Sequence, residues 1–182
     1  MIRGQIDGQP LSVRPVLVLV TICIVEGLLL GMVHGVTAPV AQRNADERAM
    51  KAYQELVPAA DTFEKLECNT QGCTDALKAI DEDGNVVGHV IVAESKGYGG
   101  PVPVSVAFDA NGQIANIMVM SNSETPGLGT KVANDSYIGQ YVGLEAAPVE
   151  AKDIDMISGA TISSKAALAA FNIAVQAYEE VR

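Results

Sequence analysis

From Pro15 to Val33 the chain is almost continuously apolar, and no other segment restricts its fold as strongly. At about 1.5 Å of rise per residue, a helix of this length crosses roughly the 30 Å hydrocarbon core of a bilayer. The competing reading is a cleaved signal peptide with Arg14 as its basic flank. The run is long for such a peptide, and its best small-residue exit, Thr37-Ala38, is followed by Pro39, which disfavours cleavage. A retained membrane helix over residues 15–36 is therefore expected, after a short cytoplasmic tail over residues 1–14.

Two features of this span predict partner subunits in the membrane. Cys23, Gly27, Gly31 and Gly35 recur every fourth residue and share one helical face, a doubled small-xxx-small pattern that lets another helix approach closely. Glu26 lies deep in the apolar run. An acidic group there costs on the order of 2.5–3.5 kcal/mol on insertion scales, so it should face protein or water. Orientation is less sharply encoded. Arg3 and Arg14 precede the span, whereas Arg43, Arg48 and Lys51 follow it, mixed with Asp46 and Glu47. Arg14 lies closest to the membrane and favours an N-terminus inside. The net charge of −10 argues against nucleic acid as a partner, because no basic patch exists to release counterions. It also argues against a domain lying flat on anionic lipid.

The boundary between anchor and domain is expected in the Val36–Gln42 stretch. Ala45 to Val57 has the pattern of an amphipathic helix, with Ala49, Tyr53, Leu56 and Val57 on one face and Pro58 as its stop. Residues 37–58 are thus expected to be a stalk or the first helix of the domain, and residues 59–182 to form one domain of ordinary size. Strands are expected at Asn85–Ser95, after the Asp83-Gly84 turn, and at Val102–Phe108 and Gln113–Met120, joined by the hairpin signal Ala110-Asn111-Gly112. A short helix is expected at Lys131–Tyr141 and a longer one at Ala166–Val181, with Leu168, Phe171, Ile173 and Val175 for packing. Helix, strands, then helices predict an α+β domain with an antiparallel sheet.

Three short motifs carry the chemistry. Asp155-Met-Ile-Ser158-Gly159-Ala160-Thr161 joins a tight turn of small residues to a helical pattern starting at Ile162. The first N–H groups of a helix have no internal partners, and its dipole favours negative charge. A phosphate ester on Thr161 would lie where those groups converge, with Lys165 one turn on as a countercharge. Glu124-Thr125-Pro126-Gly127-Leu128-Gly129 is a rigid loop whose backbone can approach a flat ligand, and Leu128 is suited to touch an aromatic ring system. Gly97-Tyr98-Gly99-Gly100-Pro101 is a second glycine-rich turn between strands. Taken alone, each is also satisfied by an ordinary turn with no ligand.

In this order and spacing the three motifs resemble the covalent FMN-binding domains. They are most similar to the G subunits of Rnf complexes, and also to the related C subunits of sodium-translocating NADH:quinone oxidoreductases. The resemblance runs from the membrane segment to the C-terminus. It implies one FMN, covalently attached by a phosphoester to Thr161, with Ser158, Gly159 and Ala160 shaping the turn. Asp155 would belong to the sequence read by a flavin transferase that uses FAD as donor. Thr125 and Leu128 would line the flavin, with Glu124, Pro126, Gly127, Gly129, Lys131, Tyr98 and Lys165 completing the cofactor site. It further implies an electron-relay subunit of an ion-translocating ferredoxin:NAD oxidoreductase in a prokaryotic cytoplasmic membrane. Its flavin domain would face outward and its partners would be the other membrane subunits. Thr161 would then be a modification site rather than a catalytic nucleophile.

The remaining residues point to no other chemistry. His34 and His89 have no nucleophile near them in sequence, no carboxylate pair suggests acid–base work, and the glycine spacings lack the strand–helix context of a dinucleotide or nucleotide loop. No metal set is expected, since two cysteines without a second pair or nearby histidine do not make one. Cys68 and Cys73 close a small loop, either as a disulfide or as two thiols, and the sequence leaves both open. Two alternatives to the complex subunit are a stand-alone anchored surface flavoprotein passing electrons to external acceptors and a non-redox anchored assembly module.

Overall fold

The structure, a computed structural model, describes residues 13–182. Of the expected tail over residues 1–14, all but the last two positions, and Arg3 with them, lie outside the described residues.

The chain divides into two compact units, Met1–Arg48 and Ala49–Arg182. Helix α1, Val13–Leu56, begins in the first unit and ends in the second, and it continues without a break through Val36–Gln42 and Pro39. Among the described residues it is the one helix long and apolar enough to cross a membrane. Its 44 residues would measure ~66 Å, about twice a hydrocarbon core, so only part of it can be in lipid. In the first unit Leu17, Leu28, Leu30 and Met32 are all more than half exposed, as a lipid-facing surface requires. The Thr21 and Thr37 hydroxyls donate to the Leu17 and Val33 carbonyls at 2.8 and 2.9 Å, which removes two polar groups from the apolar surface.

The second unit is an α+β domain. Strands β1 (Thr62–Leu66), β2 (Cys73–Ile80), β3 (Val86–Lys96), β4 (Pro101–Asp109) and β5 (Ile114–Val119) form an antiparallel meander in sequence order. Helix α2 (Asp135–Ile138) is a single turn, and α3 (Thr161–Val181) is the long C-terminal helix. The last three strands and α3 correspond to the segments expected from sequence, while β1 and β2 were not foreseen. The expected helix at Lys131–Tyr141 is instead a 3-10 turn at Gly129–Ala133 followed by α2. Asn134 causes the break: it is extended (φ −76°, ψ 144°), so the first turn stops there, and its carbonyl accepts from the Tyr137 and Ile138 N–H groups to start the second.

The sheet is covered on both faces, which is why β3 and β4 read as nearly unbroken apolar runs. One face, with Ile91, Ala93, Val104, Val106 and Phe108, packs under Phe171, Ala174, Val175 and Tyr178 of α3. The Phe108 and Tyr178 rings stack with centroids 4.1 Å apart. The opposite face, with Leu77, Val90, Val92 and Ala107, is covered by Tyr53 and Leu56 from the end of α1, the residues assigned from sequence to its apolar face.

Two hairpin turns are closed by the same device. Asp81 accepts from the N–H groups of Asp83 and Asn85 at 2.9 and 2.8 Å. Asp109 accepts from those of Asn111 and Gln113, both at 2.8 Å. The hydrogen bond from Asn85 in one turn, and that from Gln113 in the other, holds each carboxyl below its usual range.

Candidate functional site

Glu124 organises the site, and its side-chain partners come from two other parts of the chain. It follows β5 and is only 3% exposed. Its Oε1 accepts from the backbone N–H groups of Tyr98 and Gly99, at 2.8 and 3.0 Å, in the turn between β3 and β4. Its Oε2 accepts from the Ser163 hydroxyl in the first turn of α3 at 2.6 Å. One carboxylate therefore joins the Gly97–Pro101 turn, its own loop and the helix that begins at Thr161. Burial alone would raise its pKa, but the hydrogen bonds from Ser163, Gly99 and Tyr98 outweigh that and hold the carboxyl below its usual range.

Gly129 makes this junction sterically feasible. A Cβ there would lie 2.5 Å from Glu124 Oε2 and 2.9 Å from Ser163 Oγ, inside the hydrogen bond itself. The Asp155–Thr161 turn is fixed in a similar way. The Ile157 N–H donates to Ser164 Oγ at 3.1 Å, and that hydroxyl donates to the Ala160 carbonyl at 3.0 Å. Gly159 takes φ +80°, a conformation that favours glycine, and a Cβ there would lie 3.3 Å from Leu128 Cδ1, so the turn and the loop meet there. Below them, Tyr137 donates its hydroxyl to the Ser164 carbonyl at 2.7 Å and receives one from Tyr141 at 3.1 Å. That buried pair fastens α2 to the start of α3.

The three motifs enclose a cavity of about 540 Å³ lined by Tyr98, Glu124, Thr125, Leu128, Gly129, Gly159, Ala160, Thr161, Ile162 and Ser163. Its wall is largely apolar, with the N-terminus of α3 at one side. No side chain caps that terminus, so its first N–H groups are available to an anion. Thr161 is exposed at this point, whereas the Ser163 and Ser164 hydroxyls are buried and already engaged. The cavity therefore presents the exposed Thr161 hydroxyl beside an anion-binding helix end and a surface for a flat ring. These residues fit a phosphate-bearing flavin.

Not every residue singled out from sequence reaches the wall. Pro126, Gly127, Ser158, Lys131, Asp155 and Lys165 are exposed but do not line the cavity. Gly127 shapes the loop from outside, its N–H donating to Thr130 Oγ1 at 2.9 Å. The Asp155 backbone is held by Gln140, whose Oε1 accepts from the Asp155 N–H at 2.7 Å. Conversely, Ile162 and Ser163 line the cavity and were missed. Ile162, 56% exposed at the start of a helix, carried a signal in retrospect: an apolar side chain beside the acceptor hydroxyl and off the packing face of α3.

The FMN-binding domain family model matches residues 97–176, from the first glycine of the β3–β4 turn to well into α3. Among curated proteins, the G subunit of the proton-translocating ferredoxin:NAD(+) oxidoreductase complex of Clostridium ljungdahlii is 34% identical over 79% of both chains. The G subunit of the ion-translocating oxidoreductase complex of Methanosarcina acetivorans is 32% identical over 89% of this chain and 92% of that one. The chain belongs to the G subunits of ion-translocating oxidoreductase complexes. Its counterpart in the Na(+)-translocating ferredoxin:NAD(+) oxidoreductase complex of Acetobacterium woodii is 28% identical over 91% of this chain and 90% of that one. The resemblance expected from the three motifs is thereby established, and so is the α+β class of an FMN-binding domain behind an apolar helix. As a G subunit the chain is a membrane-anchored component of an oxidoreductase complex.

Proposed function

We propose that this G subunit relays electrons within an ion-translocating ferredoxin:NAD oxidoreductase complex, through one FMN held by a phosphoester to Thr161. The observation that carries the proposal is the coincidence, at one cavity, of the exposed Thr161 hydroxyl and the uncapped start of α3 with the three motif loops. Bound FMN supplies one- and two-electron redox chemistry, which suits a site between carriers of different kinds. The chain's own contribution is to bind and to orient. Thr161 supplies the acceptor oxygen. The first N–H groups of α3 offset the phosphate charge, and Lys165, one turn along, adds to the local positive potential. Leu128, Ile162 and Tyr98 give the ring apolar contact, and Thr125 adds a polar edge.

Glu124 leaves the backbone of all three loops preorganised, so little entropy is lost when the cofactor is fitted. Asp155 lies on the same exposed turn as Ser158 and Gly159, where a separate flavin transferase using FAD as donor would recognise it. The proposed layout is a membrane span over residues 15–36, a stalk over 37–58 and the FMN-binding domain over 59–182, with the domain on the extracytoplasmic side and the other complex subunits as its partners.

In-gel flavin fluorescence of denatured protein from its native membrane, beside Thr161→Ala, tests the site. Fluorescence that survives denaturation in the wild type and vanishes in the variant is expected. A dark wild-type band from cells with an active flavin transferase would overturn both the attachment and the relay.

A further inference from the structure

Cys68 and Cys73 stand at the two ends of the turn between β1 and β2. Leu66 of β1 is paired with Ala76 of β2. Carrying that antiparallel register two residues further brings Cys68 level with Thr74, immediately beside Cys73. Leu66, Cys68, Cys73 and Ala76 all pack into the apolar cluster under α3, so both sulfurs are on the same face of the sheet. The turn is tight, with the Cys73 N–H donating to the Thr70 carbonyl at 3.0 Å. It is also pinned from above: Glu180 of α3 accepts from Asn69 N–H, Asn69 Nδ2 and Thr70 Oγ1 at 3.3, 3.1 and 2.8 Å. Both cysteines are half-buried thiols in this structure, and both line an open cavity of about 570 Å³, so a small disulfide can reach them.

We infer that Cys68 and Cys73 are a dithiol/disulfide pair that covalently ties edge strand β1 to β2. Two S–H bonds break and one S–S bond forms. The two electrons and two protons pass to a second disulfide, that of a protein exchange catalyst or a small-molecule disulfide, which is released as two thiols. Strand β1 has the most to gain. It is a short edge strand paired on one side only, and its side chains are half-buried at most. Burial, and next the adjacent Cys68 thiol, push Cys73 up to about 12. Exchange is accordingly slow at neutral pH and faster in mildly alkaline buffer.

The test uses the full chain in detergent with Cys23→Ser, so that only this pair can react, incubated with oxidised glutathione. Intact mass is expected to fall by two hydrogens, with no reaction toward a maleimide until dithiothreitol is added. The oxidised form should unfold at a temperature higher by on the order of 5 °C. Cys68→Ser and Cys73→Ser should each bind one maleimide and lose the redox-dependent shift. An unchanged mass with two free thiols, or a stable glutathione adduct, would overturn the pairing. Neither result depends on FMN, so the outcome is separate from that of the Thr161 test.

Discussion

At the scale of single residues, Glu124 offers the sharpest test. Replacing it with Ala removes the acceptor of the part-buried Tyr98 and Gly99 N–H groups and of the buried Ser163 hydroxyl. Losses of that kind cost about 1–3 kcal/mol. Denaturant unfolding of Glu124→Ala should therefore show a clear drop in midpoint, with flavin incorporation at Thr161 falling in parallel. Glu124→Gln, which keeps one acceptor, should fall between the Ala variant and the wild type. Gly129→Ala should behave like Glu124→Ala, because its methyl would occupy the Glu124–Ser163 hydrogen bond. A Gly129→Ala protein with wild-type stability and full flavin loading would show that the junction does not hold the cavity together. The positions of the loops were legible in the sequence, because glycine and proline announce turns locally. The junction was not, because the partners of Glu124 lie 25, 26 and 39 residues away, and only the folded sheet brings them to one carboxylate.

At the scale of elements, legibility followed the strength of local pattern. Strands β3, β4 and β5 are long apolar runs between turn signals, whereas β1 is half charged and β2 breaks its alternation with Asp75 and Lys78. These outer strands are set by pairing, β2 with β3 and β1 in turn with β2, rather than by their own composition. The turns joining the strands carry their own pH dependence. Asp81 and Asp109 are held below their usual range by hydrogen bonds from the turns they close, and Glu180 by those from Thr70 and Asn69. A carboxyl depressed in the folded state adds stability that is fully present above its unfolded value, about pH 4. That stability is lost as pH falls through the folded value. The thermal midpoint should therefore be flat near neutrality and decline below about pH 4. Asp81→Asn and Asp109→Asn should each lower the neutral midpoint modestly and flatten the acid limb. Because these groups are exposed, each effect should be small and smaller again in high salt. An acid limb unchanged in the double variant would assign the decline to other carboxylates.

At the scale of the whole molecule, the membrane helix holds features that the flavin domain does not need. A methyl group placed on Gly27, Gly31 or Gly35 would meet nothing within 4 Å, so in the isolated chain the stripe is open surface. Large side chains there should cost the subunit itself almost nothing. Gly31→Leu lengthens no loop and fills no core, and the thermal midpoint of the flavin domain should stay where it is. What such a change removes is the close backbone approach of a second helix, which in lipid depends on packing because the tails are as apolar as leucine. Glu26 sits one residue from this stripe and needs a protein or water partner at the same depth. Gly31→Leu should therefore leave Thr161 flavinylated, since attachment concerns the other unit of the chain, yet abolish co-purification with the other membrane subunits. Flavin fluorescence and complex yield, measured on the same membranes, separate the two roles. Retention of the complex in Gly27→Leu/Gly31→Leu would mean that the chain is held in the complex through its domain and that the stripe faces lipid. Loss of both signals together would mean that flavin attachment depends on assembly of the complex.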